Sequence, residues 1–159
     1  MISIALAAVA DRYQAKKVAL TSHIATELPH VRADPQHLAQ VLGNLLNNAL
    51  RHTPPHGWVD VVATADTADL TIVVGRHRRW GRRRAPASPF RNGSTAWMPP
   101  RGREHGGAGI GLAIAKAIVN AHGGHISASS RGPGTRNNFH DHTAYSLLLT
   151  GWPNASVRI

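Results

Sequence analysis

The chain has 159 residues and a mass of 17.0 kDa, which predicts one domain long enough to bury a core. It contains no cysteine, which excludes disulfides and thiolate metal sites and is compatible with the cytoplasm. A formal charge of +10 points to nucleic acid or an anionic membrane, but nine of the eighteen basic residues fall between positions 75 and 103, where there is no acid; elsewhere nine basic residues face eight acidic ones, so the basicity belongs to one segment.

Residues 3 to 17 predict a first helix with Ile4, Leu6, Ala7, Ala10 and Tyr13 on one side. Its start, MISIALAAVA, is short, lacks a basic leader and runs on into DRYQAKK, so it reads as a helix stub rather than a signal peptide or membrane span. Val18 to Ile24 predicts a strand, and Pro29 to Arg32 an extended link. Asp34 as N-cap and Pro35 as first helical residue open a helix over 35 to 52. Its core face carries Leu38, Val41, Leu42, Leu45 and Ala49, and it stops at Pro54-Pro55. Trp58 to Ala65 and Leu70 to Val74 predict an antiparallel pair joined near Asp66 to Asp69. A glycine cluster, Gly106, Gly107, Gly109 and Gly111, leads into a helix over 110 to 122 with Leu112, Ile114, Ala115, Ile118 and Val119 at helical spacing, stopped by Gly123-Gly124. Strands over 125 to 130 and 145 to 150 complete the order, and no internal repeat is present. The sum is an α+β fold: a two-layer sandwich of a mixed, mostly antiparallel sheet with helices on one face.

Two of these helices carry residues suited to a phosphate ligand. Asn44 and Asn48 are four apart and share a face. An amide oxygen is a hard, neutral ligand for a magnesium ion that already carries phosphate oxygens, and Arg51, near the helix end, can reach an anion. Alone, such a pair more often belongs to a solvated face. Glycines beside a helix N-terminus let backbone amides approach a phosphate and add the dipole's attraction. No Gly-Lys-Ser/Thr closes this cluster, so it is not a P-loop, and its spacing is not that of the dinucleotide fingerprint.

Taken together, N-L-L-N-N-A-L-R-H-T-P from Asn44 to Pro54 and G-A-G-I-G-L-A-I from Gly107 to Ile114 resemble the asparagine box and second glycine box of bacterial sensor histidine kinases. The resemblance is to their ATP-binding catalytic domain, within the superfamily shared with gyrase, Hsp90 and MutL, and it covers residues 15 to 74 and 104 to 130. It implies a Bergerat-type ATP-binding fold, ATP and Mg2+ as cofactors, and transfer of the γ-phosphoryl group to a histidine. By this likeness Asn48, helped by Asn44, holds Mg2+ on the phosphates, Arg51 approaches the phosphates, and His52 lies by the ribose or adenine. Gly107, Gly109 and Gly111 form the phosphate-side turn, with Leu112 directly after. The implied partners are a histidine phosphoacceptor and then a response regulator. No acceptor motif of the form His-Glu-Leu/Phe-Arg-x-Pro occurs, so the acceptor is expected upstream in a longer protein or on a separate one. Residues 1–17 then lead from that acceptor region, 18–150 form the ATP-binding domain, and 151–159 are a tail, all cytoplasmic.

No catalytic residue is assigned. The family's acidic base beside the asparagine box has no match, because Gly43 precedes Asn44; Glu104 sits just before the glycines. An acceptor imidazole is already nucleophilic, so catalysis there is mainly positioning and charge neutralisation. Eleven histidines invite a metal site, with His140-Asp141-His142 or His122 and His125 as candidates, but no spacing matches a zinc motif. Nor is there a nucleophile elbow for serine hydrolysis.

Residues 75–103 depart from the resemblance. An Asp-x-Gly-x-Gly box is expected there, its aspartate accepting the adenine amino group, followed by a phenylalanine box and a lid; none is present, and no arginine can accept a hydrogen bond. Three readings stand open. The first is a frameshift: read from the second base of each codon, Gly75 to Phe90 is compatible with D-T-G-x-G-V-x-x-E-H-L-P-x-L-F, and Arg136 to Ala144 with the family's last strand, G-T-T-F-T-I-T-L-P; the next frame gives E-R-F-Y-R-V-D for Arg91 to Met98. The second is an arginine-rich arm for nucleic acid, with Trp80 and Trp97 available for stacking, so that nucleic acid is a partner only if the cluster over 76 to 84 is genuine. The third is a disordered replacement of the lid with no partner. Resequencing the coding DNA across codons 74 to 150 is expected to restore the kinase frame, and bases incompatible with those strings would eliminate the frameshift.

Overall fold

In the computed structural model, which describes residues 1–28, 31, 33–66, 69–77, 108–131 and 142–150, the elements run α1 (Ile2–Ala15), β1 (Ala19–Ile24), α2 (Pro35–His52), β2 (Trp58–Asp66), β3 (Asp69–His77), α3 (Ala108–Ala121), β4 (His125–Arg131) and β5 (His142–Thr150). The five strands form one sheet in the order β1-β2-β3-β5-β4, with β1 parallel to β2 and every other pair antiparallel. This is the predicted α+β sandwich. Among the described residues no helix is long and apolar enough to cross a membrane.

The central helix starts where its cap predicts. Asp34 Oδ1 accepts the backbone N–H of Gln36 at 2.7 Å and of His37 at 3.4 Å, satisfying two of the donors that a helix start leaves over. Donation from Gln36 is the main reason the Asp34 carboxyl is held below its ordinary pKa. Pro35 follows as the first helical residue, and the apolar positions Leu38, Val41, Leu42, Leu45 and Ala49 are all buried. At the far end Thr53 Oγ1 donates to the Ala49 carbonyl at 2.7 Å. His122 ties the end of α3 to the start of α2: its Nε2 accepts the Asp34 N–H at 3.2 Å, so its Nδ1–H donates to the Ile118 carbonyl at 2.8 Å. That histidine is therefore structural rather than a metal ligand.

Alternation along the strands sends Val59, Val61 and Ala63 of β2, Leu70, Ile72 and Val74 of β3, and Tyr145, Leu147 and Leu149 of β5 into the core shared with the helices. The other face mixes polar residues with Trp58, Val62 and Val73. On it the Trp58 and His77 rings stack at 4.4 Å between centroids, and His77 Nε2 lies 2.6 Å from Asp60 Oδ1. Gly75 makes room for that carboxylate, since a Cβ there would come within 2.7 Å of Asp60 Oδ1.

Two expectations need correction. The first helix does not bury Ile4, Ala7 and Ala10: Ile4 is 71% exposed, and the core face carries Ile2, Ala5, Val9 and Tyr13, only the last of which was expected. The segment is apolar nearly all round, so spacing alone selects no face; what selects it is α2. Tyr13 Oη donates to the Leu46 carbonyl at 2.7 Å, Lys16 Nζ to the Leu50 carbonyl at 2.7 Å and Arg12 to Asn47 Oδ1 at 2.7 Å. The second correction concerns β3, which runs past Val74 through Gly75, Arg76 and His77, the first residues of the arginine-rich block. These pair with Ala144, Thr143 and His142, so β5 likewise begins three residues before the predicted Tyr145. Each extension supplies the other's hydrogen-bond partner. The rest of the block, residues 78–103, lies outside the described residues, as do Glu104, His140 and Asp141.

Candidate nucleotide site

Asn48 projects from α2 toward the sheet and is 9% exposed. A buried amide needs partners, and its Nδ2 donates to Tyr145 Oη on the inner face of β5. One turn earlier on the same face, Asn44 has its Nδ2 buried with no hydrogen-bond partner among the described residues. An orphaned buried donor is unusual enough to require an explanation. It faces the first turn of α3: a Cβ added at Gly111 would stand 3.6 Å from Asn44 Cγ and Oδ1. The asparagine thus lies against that helix start, which carries unsatisfied N–H groups and the positive end of a helix dipole.

The structure sets Asn44 beside Gly111 and Asn48 against Tyr145. Gly109 is in the first turn of α3, and Leu112 is half-buried against the core; Gly107 lies outside the described residues. Arg51 and His52 are exposed in the last turn of α2. The backbone there is held from the sheet, because Arg76 donates to the His52 carbonyl at 3.1 Å and to Thr143 Oγ1 at 2.8 Å. Burial raises the pKa of the Tyr145 hydroxyl above its ordinary value, opposed by the nearby Arg76 charge and by the hydrogen bond from Asn48. The hydroxyl therefore stays protonated at neutral pH.

Tyr145, Thr143 and Arg76 were not among the residues singled out from the sequence. Alternation through Tyr145, Leu147 and Leu149 was the available signal for Tyr145; nothing local marks Arg76, which sits in the arginine-rich block.

Chemically the site offers amide oxygens, an amide donor without a partner among the described residues and a nearby helix start, with cationic side chains at the rim. Those are the groups a magnesium-bound polyphosphate uses: a phosphate oxygen would satisfy Asn44 Nδ2, and an amide oxygen suits the cation. An α+β sandwich carrying these groups is suited to a nucleotide-binding domain.

The family described as histidine kinase-, DNA gyrase B-, and HSP90-like ATPase matches residues 33–142, more than half of the chain. The chain belongs to that family, as the ATP-binding catalytic part of a histidine kinase. It is 32% identical over 126 residues to the alginate biosynthesis sensor protein KinB of Pseudomonas aeruginosa, a match covering 77% of this chain and 20% of KinB. Among solved structures, a mycobacterial sensor histidine kinase, MprB, superposes with a TM-score of 0.65 at 21% identity, covering 96% of each chain. Histidine kinase ThkA, solved in complex with the response regulator protein TrrA, superposes with a TM-score of 0.65 at 17% identity, covering 96% of this chain and 40% of that one. The chain thus spans a fifth of KinB's length, and its fold is that of histidine kinase catalytic domains.

Proposed function

We propose that the chain works on Mg-ATP and passes the γ-phosphoryl group to a histidine on an acceptor domain or protein, from which a response regulator takes it. The observation that carries this reading is the approach of Asn44 to the α3 start at Gly111, where its buried amide donor has no partner among the described residues. The ThkA–TrrA complex supports the regulator as the eventual recipient, and family membership supports ATP as the donor.

On this reading Asn48, assisted by Asn44, offers amide oxygen to Mg2+, and Asn44 Nδ2 donates to a phosphate oxygen. The N–H groups at Gly109 and Gly111 face the phosphates, with Gly107 leading into that turn and Leu112 fixing it to the core. Arg51 neutralises phosphate charge, and His52 lines the ribose or adenine side. Mg2+ bound with the nucleotide would supply charge neutralisation across the phosphates. The protein's contribution is alignment, since the attacking imidazole belongs to the partner. Residues 18–150 form this domain, residues 1–17 lead from the acceptor region, 151–159 are a tail, and the location is cytoplasmic, where ATP and the regulator are found.

No aspartate exists between 75 and 103 to accept the adenine amino group, so Mg-ATP is expected to bind more weakly than micromolar. The test is transfer of labelled γ-phosphate from ATP to an added histidine acceptor domain. Acid-labile label on that domain, dependent on Mg2+, is the expected result. Mg-ATP binding with no transfer to any acceptor would leave a nucleotide-dependent docking module instead.

A further inference from the structure

The amide of Asn48 ends in two different atoms, an oxygen that can ligate a cation and a nitrogen that cannot, and half a turn of the last torsion exchanges them. Asn48 is buried, so whichever atom turns away from the ligand needs a partner inside the protein. That partner comes from the far end of the chain: Tyr145, 8% exposed on the inner face of β5, receives the Nδ2 proton on its Oη. Its strand position is fixed by pairing with Val74 of β3 on one side and Ala128 of β4 on the other. Two residues along the same face, Thr143 is clasped by Arg76, which also holds the end of α2 at His52. The hydroxyl and the helix that carries Asn48 are thereby registered to one another.

Resting on the nucleotide-site reading above, we infer that Tyr145 is a positioning residue for metal-nucleotide binding: by accepting from Asn48 Nδ2 it turns Asn48 Oδ1 toward the cation. Without that hydroxyl, aiming the oxygen at the metal leaves a buried NH2 group unsatisfied. The amide then loses its orientational preference. Tyr145 touches neither nucleotide nor metal in this role; it acts through Asn48.

Tyr145→Phe keeps the ring and removes only the hydroxyl. ATP is titrated to millimolar concentration against the full 159-residue chain, in excess Mg2+ and again in EDTA. The expected result is a roughly tenfold loss of the Mg2+-dependent gain in affinity, with Mg2+-free binding changed by less than about twofold. Equal losses in both conditions, or none in either, would overturn the positioning role and leave the nucleotide site standing. Absence of any Mg2+-dependent binding in the wild type would overturn both. A measurement on the unmodified chain guards against a variant that fails to fold: the Asn48 side-chain NH2 protons should exchange with water much more slowly than those of the exposed Asn120. Equal exchange rates would show that the Tyr145 bond does not hold the amide, and would overturn the inference.

Discussion

Asn48→Ala is expected to lower Mg-ATP affinity by roughly a hundredfold or more, effectively removing it from a site that already lacks an adenine aspartate. Outer partners of metal ligands commonly account for 10- to 100-fold in affinity, and Asn48 is read as a ligand itself. Alanine is the better helix former, so α2 should persist, and the buried Tyr145 hydroxyl loses one partner. Calorimetric titration with Mg-ATP, beside a far-ultraviolet dichroism spectrum confirming the fold, checks the result. A titration superimposable on the wild type would show that nucleotide binds elsewhere.

The second large effect is on stability. Leu45 sits between the two asparagines in sequence, and it is fully buried among the core residues beneath α2. Leu45→Ala is expected to cost about 2–5 kcal/mol, from lost transfer energy and from the cavity left in a close-packed region. Urea unfolding should show a lower midpoint with an unchanged slope. A loss below about 1 kcal/mol would mean that the layer between α2 and the sheet collapses onto the gap, contrary to the packing described. The two substitutions probe neighbouring buried positions of one helix, a polar one proposed to hold a ligand and an apolar one that packs the sandwich.

The central helix was legible because several independent signals agreed. Its aspartate cap, its proline, its apolar spacing and its terminal proline pair all mark the same eighteen residues, and the structure starts and stops it there. The asparagine pair and the glycines were legible as a motif, and in the structure Asn44 lies beside Gly111 while Asn48 reaches Tyr145. The first helix was legible in extent but not in orientation, because Ile2, Ile4, Ala5, Leu6, Ala7 and Val9 give it apolar atoms on nearly every side. Contacts with α2, among them the hydroxyl of Tyr13 reaching the Leu46 carbonyl, fix which side faces inward. The end of β3 was misplaced for a related reason. Hydropathy falls at Gly75 and Arg76, yet a strand paired on both edges continues as long as its neighbours do. Tyr145 was the hardest residue to see, since its partner lies 97 positions away and no local pattern encodes that meeting.

The strand order also sets a sequence of events during synthesis. The last of the described strands, β5, does not join an outer edge but slots between β3 and β4, and among the described strands β4 pairs with no other. Until residues 142–150 leave the ribosome, β3 therefore presents a bare row of amides and carbonyls and β4 is unmoored. The nascent chain passes through a stage at which most of its apolar residues exist but its sheet is split. That is the interval in which strand-to-strand association between copies competes with folding. Because β5 also carries Tyr145, the same insertion that closes the sheet completes the wall against Asn48. A ribosome that stalls short of position 142 thus releases a chain that is both adhesive and without the Tyr145 partner of Asn48.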